Sequence, residues 1–441
     1  MSRRKKFPVA PVLTTIESLS HDGRGITHVD NRIVFIHGAL PGEEVLFNYS
    51  RIRSKNAEGY VHEILKPSPL RIEPTCRHYG QCGGCSLQHL SMQDQIRHKQ
   101  QVLLHQLEHI GGVKPEVVME PLTGPEWGYR RKARLGVKYV IKKERLLVGF
   151  REQRSNRIAD LEGCEVLHPA FGRRLPELST LIRSLSNYEQ IPQIEIAVGE
   201  KNPAMILRHL SEFIPEDRKA LSVFQRDTGI SVFLQSAGPD SIVPLNDATV
   251  TDLLYYLPEE DIIIHFQPKD FTQVNFEINR KMITRVLELL DPQPGDTLLE
   301  LFCGIGNLSL PLARKGVSVT SVEGTAELVE RARSNAASNN IDNVEFHALD
   351  LMQEDLDYPV FNRPYRKILF DPPRNGAREI IGHLDFKHVE RAVYVSCNPA
   401  TLARDAGILV RDKGLTLTHA GVLDMFPHTS HVESIACFEK K

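Results

Sequence analysis

No uncharged apolar run of about 18 residues occurs anywhere in the 441-residue chain, which excludes a helical membrane span. The opening MSRRKKFPVAPVL is basic but has no apolar core behind its charges, so it does not read as a secretory leader. There are no internal repeats and no low-complexity tracts. These absences point to the cytoplasm, where cysteines serve as ligands or nucleophiles more often than as disulfides. Hydrophobic residues at 41% and charged residues at 25% are those of a globular protein. At about 100–200 residues per domain, the length implies two to four domains.

The net charge of −2 conceals a local excess. Between Trp127 and Arg157 there are eleven Lys and Arg against two Glu, a balance of +9. A solvated strand face is one reading. The other is a phosphate-binding surface, because clustered cations release counterions from a nucleic acid. Arg130, Arg131 and Lys132 are its candidate phosphate contacts, and Tyr129 and Tyr139 could stack on bases or sit in a core.

Residues 10–68 alternate in short runs bounded by Gly, Pro or Asn, the pattern of a small β-barrel. LKPSPLRIEPT reads as a linker, and apolar spacing over 91–111 predicts a helix ending at Gly112, one able to pack on the C-terminal part. From 127 to 264 the chain is strand-rich, with a topology that periodicity does not define. From 265 to the end, strands TLLELF, VSVTSVE, VEFHALD, KILFDPP and AVYVS alternate with helices. That alternation predicts a doubly wound, Rossmann-like α/β sheet. The expected architecture is therefore multi-domain: a barrel over 10–68, a central α+β domain over 69–264, and an α/β domain over 265–441.

ELFCGIGN, residues 300–307, lies between a strand and a helix, where Gly304 and Gly306 allow a tight turn and close ligand approach. Glu323 ends the next strand, seventeen residues after Gly306, placed to accept from ribose hydroxyls. Asp350 ends the third strand, where it could meet an adenine amino group. No Gly-Lys-Ser/Thr loop is present, and Ser309 stands at the third position of the dinucleotide fingerprint. A glycine loop with strand-end acids and no phosphate grip suits S-adenosylmethionine better than NAD.

VYVSCNPATLARD sets Cys397 at the C-terminal edge of that sheet, just ahead of a helix opened by Pro399. The positive helix end is expected to stabilise a thiolate. A thiolate beside a methyl donor fits methylation at a carbon that is not nucleophilic by itself, such as uracil C5. A base must afterwards remove the C5 proton, and Glu433 in HVES is the candidate.

FTQVN (271–275), LELFCGIGN, FDPPR, VSCNPATLARD and HVES together resemble the bacterial RNA uracil-C5 methyltransferases, over nearly the whole chain and most closely the branch acting on 23S ribosomal RNA. The resemblance implies that Gln273, Phe302, Asn307, Glu323, Asp350 and Asp371 surround S-adenosylmethionine, with Cys397 as nucleophile and Glu433 as base. Asp350 stands where the family commonly has asparagine. Cys303 gains no role from the resemblance, and Cys437 is expected in the core. The N-terminal 68 residues resemble a TRAM domain, an OB-like RNA-binding barrel absent from the transfer-RNA branch. The implied partner is 23S ribosomal RNA, with no DNA or membrane partner, and the protein is expected to act as a monomer.

CRHYGQCGGC places Cys76, Cys82 and Cys85 at C-x5-C-x2-C spacing, and Cys164 is the expected fourth partner. Four thiolates suit zinc or an iron–sulfur cluster. Three clustered cysteines and one distant one resemble the family's 4Fe–4S site, which makes iron–sulfur the preferred assignment over zinc. A radical methylthiotransferase would need C-x3-C-x2-C and an open iron. A non-catalytic RNA-binding protein would leave Cys397 idle, and an amino-group methyltransferase would need no thiol. The same chemistry on a second 23S site or on transfer RNA is the nearer alternative.

Overall fold

Strands Val12–Thr15, Ser18–Leu19, Gly25–Val29, Arg32–His37, Glu44–Ile52 and Asn56–Lys66 form one six-stranded sheet in the first part of the chain. Their period-two alternation turns Val34, Ile36, Val45, Phe47 and Ala57 onto one buried face. The sheet curls until non-neighbouring strands meet, with Thr14 Oγ1 and Thr27 Oγ1 2.7 Å apart. Three register shifts between the two longest strands supply the bend. The tightest hairpin, Asp30-Asn31, has both residues at positive φ (50° and 60°), the backbone of a type I′ turn. After the barrel the chain is pinned rather than loose. Buried Glu43 accepts from Leu40 N (2.8 Å), Ser68 N (3.2 Å) and Arg71 Nε (2.5 Å). Burial pushes that carboxyl up, but these donors outweigh it and hold its pKa below the usual value.

The computed structural model describes residues 10–353 and 356–441, in two compact units. The first contains 1–99, 151–156 and 427–431; the second contains 100–150, 157–426 and 432–441. The boundary falls inside the helix Met92–Gln106, which continues as a π-turn over Leu107–Gly111.

In the second unit, the stretch that periodicity left undefined is a mixed six-stranded sheet. Its order is Ile242–Pro244, Ser231–Gln235, Pro203–Arg208, Gln193–Val198, Lys132–Val140 and Arg145–Gly149. A hairpin of Leu253–Leu257 and Ile262–Phe266 follows it.

The C-terminal sheet contains β1 (Thr297–Leu301), β2 (Ser318–Glu323), β3 (Val344–Ala348), β4 (Lys367–Phe370), β5 (Arg391–Ser396), β6 (Thr416–Leu423) and β7 (Glu433–Glu439). Helices α1 (Phe276–Leu290), α2 (Ser309–Arg314), α3 (Ala326–Ser338), α4 (Arg378–His383) and α5 (Pro399–Arg411) accompany them. The strand order is β3-β2-β1-β4-β5-β7-β6, with Val117–Val118 added beyond β6. β1 to β5 are parallel and β7 runs antiparallel between β5 and β6. β1, β4 and β5 read as near-continuous apolar runs because both faces are covered. The order reverses at β1, so the loops leaving β1, β4 and β5 open onto one crevice. The π-turn Leu107–Gly111 packs on α5, and Arg411 donates to Gly111 O at 2.6 Å.

Candidate active site

The loop leaving β1 departs from ordinary backbone at three positions. Phe302 has φ 66°, Gly304 φ 55° and Gly306 φ 93°. Left-handed φ at a phenylalanine stores about 1–3 kcal/mol and persists only where the surroundings enforce it. Here Phe302 N and Cys303 N both donate to Val322 O, at 2.8 and 3.2 Å. A Cβ at Gly304 would meet nothing within 4 Å, so the loop's backbone faces open space where a ligand can lie. Glu323, the last residue of β2, accepts from Gly304 N and Thr325 N at 3.1 Å each, which fixes its carboxylate beside that space.

Behind the loop, buried Glu300 accepts from Ser321 Oγ at 2.7 Å and also from Ser309 Oγ. Burial pushes its pKa up to about 7 against the pull of both hydroxyls. The side chain of Asn307 faces inward: Oδ1 accepts from Tyr255 Oη (2.8 Å) and Asn279 Nδ2 (2.9 Å), and Nδ2 donates to Asn279 Oδ1 (2.8 Å). That side chain braces the loop, leaving its backbone as the face toward a ligand.

The nucleophile's corner follows from strand register. Ser396 at the end of β5 pairs with Ser434 of β7, and Ser434 Oγ donates to Ser396 O at 3.1 Å. One step further along each strand lie Cys397 and Glu433, at the same edge of the sheet. Cys397 is half-buried and Glu433 is 3% exposed. Asn398 caps α5 by accepting from Ala400 N at 3.2 Å, and Pro399 is the helix's first residue, as the sequence predicts.

Burial works against the expected thiolate. Burial pushes the Cys397 thiol up to about 11, and the charges of Glu433 and Asp371 push in the same direction. Arg374 opposes them and is outweighed. Burial likewise raises Glu433 to about 8, helped by Asp371, and raises Asp371 to about 7, helped by Glu323. The resting site therefore holds a neutral thiol among carboxyls that retain protons near neutrality.

The loop 371–377 is clamped to α5. Asn398 Nδ2 (2.9 Å) and Thr401 Oγ1 (3.2 Å) donate to Arg374 O, and Arg404 donates to Asn375 O at 2.8 Å. Asp405, fully buried, accepts from Ala377 N (2.8 Å), Tyr394 Oη (2.7 Å) and Arg404 Nε (2.8 Å). Gly376 is required here, because a Cβ would lie 2.5 Å from Asp405 Oδ2 and its φ is +83°.

Among the other sequence candidates, Gln273 is half-buried just ahead of α1, next to Val274, whose carbonyl accepts from Arg131 N at 2.9 Å. Asp350 is exposed and accepts from Met352 N at 3.0 Å. Cys303 and Cys437 are buried. Cys76, Cys82 and Cys85 lie half-buried in the first unit and Cys164 half-buried in the second, all without disulfides. Gly84 N donates to Cys82 Sγ at 3.4 Å, a bond that suits a sulfur acting as ligand.

The candidate phosphate contacts at 130–132 are half-buried and engaged within the protein. Arg131 donates to Gly199 O at 2.6 Å with its guanidinium 4.5 Å above Phe276, and Arg130 donates to Lys132 O at 3.2 Å. The Lys132 Nζ is buried. Tyr129, 5% exposed, is core. Sequence reasoning missed Tyr255, Asn279, Glu300 and Asp405, whose roles arise from partners distant in the chain. Glu300, which opens ELFCGIGN, and Asp405, which ends VSCNPATLARD, lay inside motifs that carried a signal.

A family model described as tRNA (Uracil-5-)-methyltransferase matches residues 93–441, and a TRAM domain model matches 9–46. The chain belongs to the tRNA (Uracil-5-)-methyltransferase family. Within that family, similar proteins include the 23S rRNA (uracil(1939)-C(5))-methyltransferase RlmD of Methylococcus capsulatus, 52% identical over 99% of each chain. The protein of the same name from Alkalilimnicola ehrlichii is 49% identical, covering 100% of this chain and 99% of its own. Among solved structures, the Pyrococcus abyssi tRNA (uracil-54, C5)-methyltransferase in complex with S-adenosyl-L-homocysteine superposes with a TM-score of 0.74. At 23% identity, covering 97% of this chain and 100% of that one, it shows a shared fold. The family's activity makes this chain a methyltransferase that uses S-adenosylmethionine, and the crevice fits that donor: an open loop backbone at Gly304 and a fixed strand-end carboxylate at Glu323.

Proposed function

We propose that the chain forms 5-methyluridine in 23S ribosomal RNA, at the position equivalent to the uracil 1939 for which its relatives are named. The observation that carries this reading is the β5–β7 register, which brings Cys397 and Glu433 to one sheet edge beside the loops of the donor crevice. Gln273, Phe302, Asn307, Glu323, Asp350 and Asp371 are the proposed donor contacts, with Asn307 contributing through its backbone. S-adenosylmethionine supplies, when bound, a methyl group activated by a positively charged sulfur.

The Cys397 thiol loses its proton to water, and its sulfur adds to uracil C6. The C5–C6 π electrons move toward O4, leaving an enolate whose C5 takes the methyl group as its bond to the sulfonium sulfur breaks and a neutral thioether departs. Glu433, as carboxylate, removes the remaining C5 proton. The C5–C6 double bond re-forms as the carbon–sulfur bond breaks and the thiolate leaves. Arg374, which favours negative charge on both Cys397 and Glu433, stabilises the two anionic forms this sequence needs.

Cys76, Cys82, Cys85 and Cys164 are the proposed ligands of a 4Fe–4S cluster, whose thiolate chemistry suits four half-buried cysteines that form no disulfide. The cluster would stabilise the fold and position RNA, with no part in methyl transfer. On this reading the protein acts as a monomer in the cytoplasm, and the barrel binds the RNA. The test is methylation of 23S RNA from cells lacking the activity, using labelled donor and nucleoside analysis of the product. The expected product is 5-methyluridine at one position with native protein and none with Cys397→Ala. Label in transfer RNA instead would support the alternative substrate, and label in an exocyclic amino group would overturn the mechanism.

A further inference from the structure

Strand register divides one face of the central sheet into an apolar half and a charged half. On that face lie Lys132 and Arg134; Gln193, Glu195 and Ala197; Ala204, Ile206 and Arg208; and Phe233 and Gln235, each set on its own strand. Ala197, Ala204, Ile206 and Phe233 join the large apolar core. Further along the same strands, Arg134, Gln193, Glu195, Arg208 and Gln235 line an open groove of about 360 Å³, to which Lys269 contributes from the segment before α1.

The groove is cationic and incompletely neutralised. Among the described residues that line it, Glu195 is the carboxylate, already held by Arg134 Nε (3.0 Å) and Gln193 Nε2 (2.8 Å), and Lys269 is paired with Glu327 from outside. Arg208 is exposed, and its guanidinium takes no hydrogen bond or ion pair among the described residues. Lys132, two residues before Arg134 on the same face, has a buried Nζ with no hydrogen-bond partner. Burial lowers its pKa to about 8 against the attraction of Asp270 and Glu195. Such an excess of cation, with two side-chain amides between the charges, fits a polyanion that also presents hydrogen-bonding edges.

Position identifies the polyanion. Lys269 lies four residues before Gln273 and donates to Glu327 at 2.6 Å, and Glu327 lies four residues after Glu323. The Lys269–Glu327 pair thus ties the edge of the groove to the first turn of α3, the helix that follows the strand-end carboxylate Glu323. Arg134 and Arg208 sit on strands separated by one intervening strand, a span of about 10 Å that a nucleic-acid backbone can bridge.

We propose that this groove holds the sugar–phosphate backbone of the substrate RNA flanking the target uridine, with Arg134, Arg208 and Lys269 on phosphates and Gln193 and Gln235 on base or ribose edges. The inference rests on the RNA-methyltransferase reading and adds a second RNA surface to the barrel.

The test compares the native chain, cluster-loaded, with Arg134→Ala/Arg208→Ala, titrating a fluorescent 23S fragment across a salt series. Both side chains are exposed, so the variant is expected to fold as the native chain does. Loss of two single-strand phosphate contacts lowers the slope of log K against log salt by about 1.4, and weakens binding roughly tenfold at low salt. S-adenosylmethionine affinity stays unchanged. A Lys142→Ala/Arg226→Ala variant, removing two exposed cations outside the groove, should keep the native slope. An unchanged slope in the groove variant, or an equal fall in the control, overturns the proposal. Methylation of the same RNA by the native chain is scored separately. Its absence would count against the substrate reading, while the binding comparison still decides the groove.

Discussion

A thiol held near 11 is a poor nucleophile at neutral pH, and a carboxyl held near 8 is mostly protonated there, though its ionised fraction is a stronger base than an ordinary carboxylate. Both forms required for turnover are the minor ones at pH 7, so kcat should rise with pH through about 8, as a pH–rate profile would show. Glu433→Gln separates the two groups. Removing a negative neighbour lowers the Cys397 pKa, read as a downward shift in the pH profile of iodoacetamide alkylation. The same variant lacks the base for the C5 proton. On ordinary uridine RNA it should therefore accumulate a protein–RNA adduct visible on a denaturing gel, with turnover reduced by roughly a hundredfold or more. An alkylation profile that moves upward would show that the carboxyl does not face the sulfur.

At the scale of elements, the site depends on α5 gripping the loop after β4. Asp405 is the centre of that grip, and Asp405→Asn keeps its shape while removing its charge. Hydrogen bonds to a charged group contribute about 1.5–3 kcal/mol each. The expected result is a lower melting temperature, together with a fall in kcat of roughly tenfold or more and little change in KM for the donor. A lower melting temperature with native kcat would reduce the clamp to a purely structural role.

The same element shows what could be read in advance. The strand–corner–helix pattern around Cys397, the cap at Asn398 and the glycine loop were legible because each is set by neighbours in sequence. The pKa of Cys397 was not, since the carboxyls that raise it come from β7 and from the loop after β4. Arg130, Arg131 and Lys132 misled for a related reason. A run of cations signals a surface by composition, yet backbone carbonyls of the protein itself take up Arg130 and Arg131, and burial takes the Lys132 Nζ. The six-stranded central sheet mixes parallel and antiparallel neighbours across long connections, an order that periodicity does not encode.

At the scale of the whole fold, burial among the described residues holds protons near neutrality on Glu300 and Asp371, at about 7, and on Glu433, at about 8. Unfolded, they titrate near 4. The folded state thus binds more protons above that pH, and this contribution to stability is lost as pH rises through 7 to 8. The ligand-free protein should melt at a lower temperature at pH 8 than at pH 6. Glu300→Gln should flatten the dependence, since an amide can still accept from Ser309 and Ser321 without acquiring charge. The proposed cluster makes a separate whole-molecule claim: Cys82→Ala should lose bound iron and melt earlier, while a Cys303→Ala protein retains its iron.

The account stands most directly on covalent capture of RNA by one sulfur. A 23S fragment carrying 5-fluorouridine at the target position, incubated with native protein and S-adenosylmethionine, should form a stable adduct, because fluorine cannot leave C5 as a proton does. Peptide mass spectrometry should place a methylated fluorouridine on Cys397. Adduct at another residue, or an adduct yield unchanged by Cys397→Ala, would contradict it.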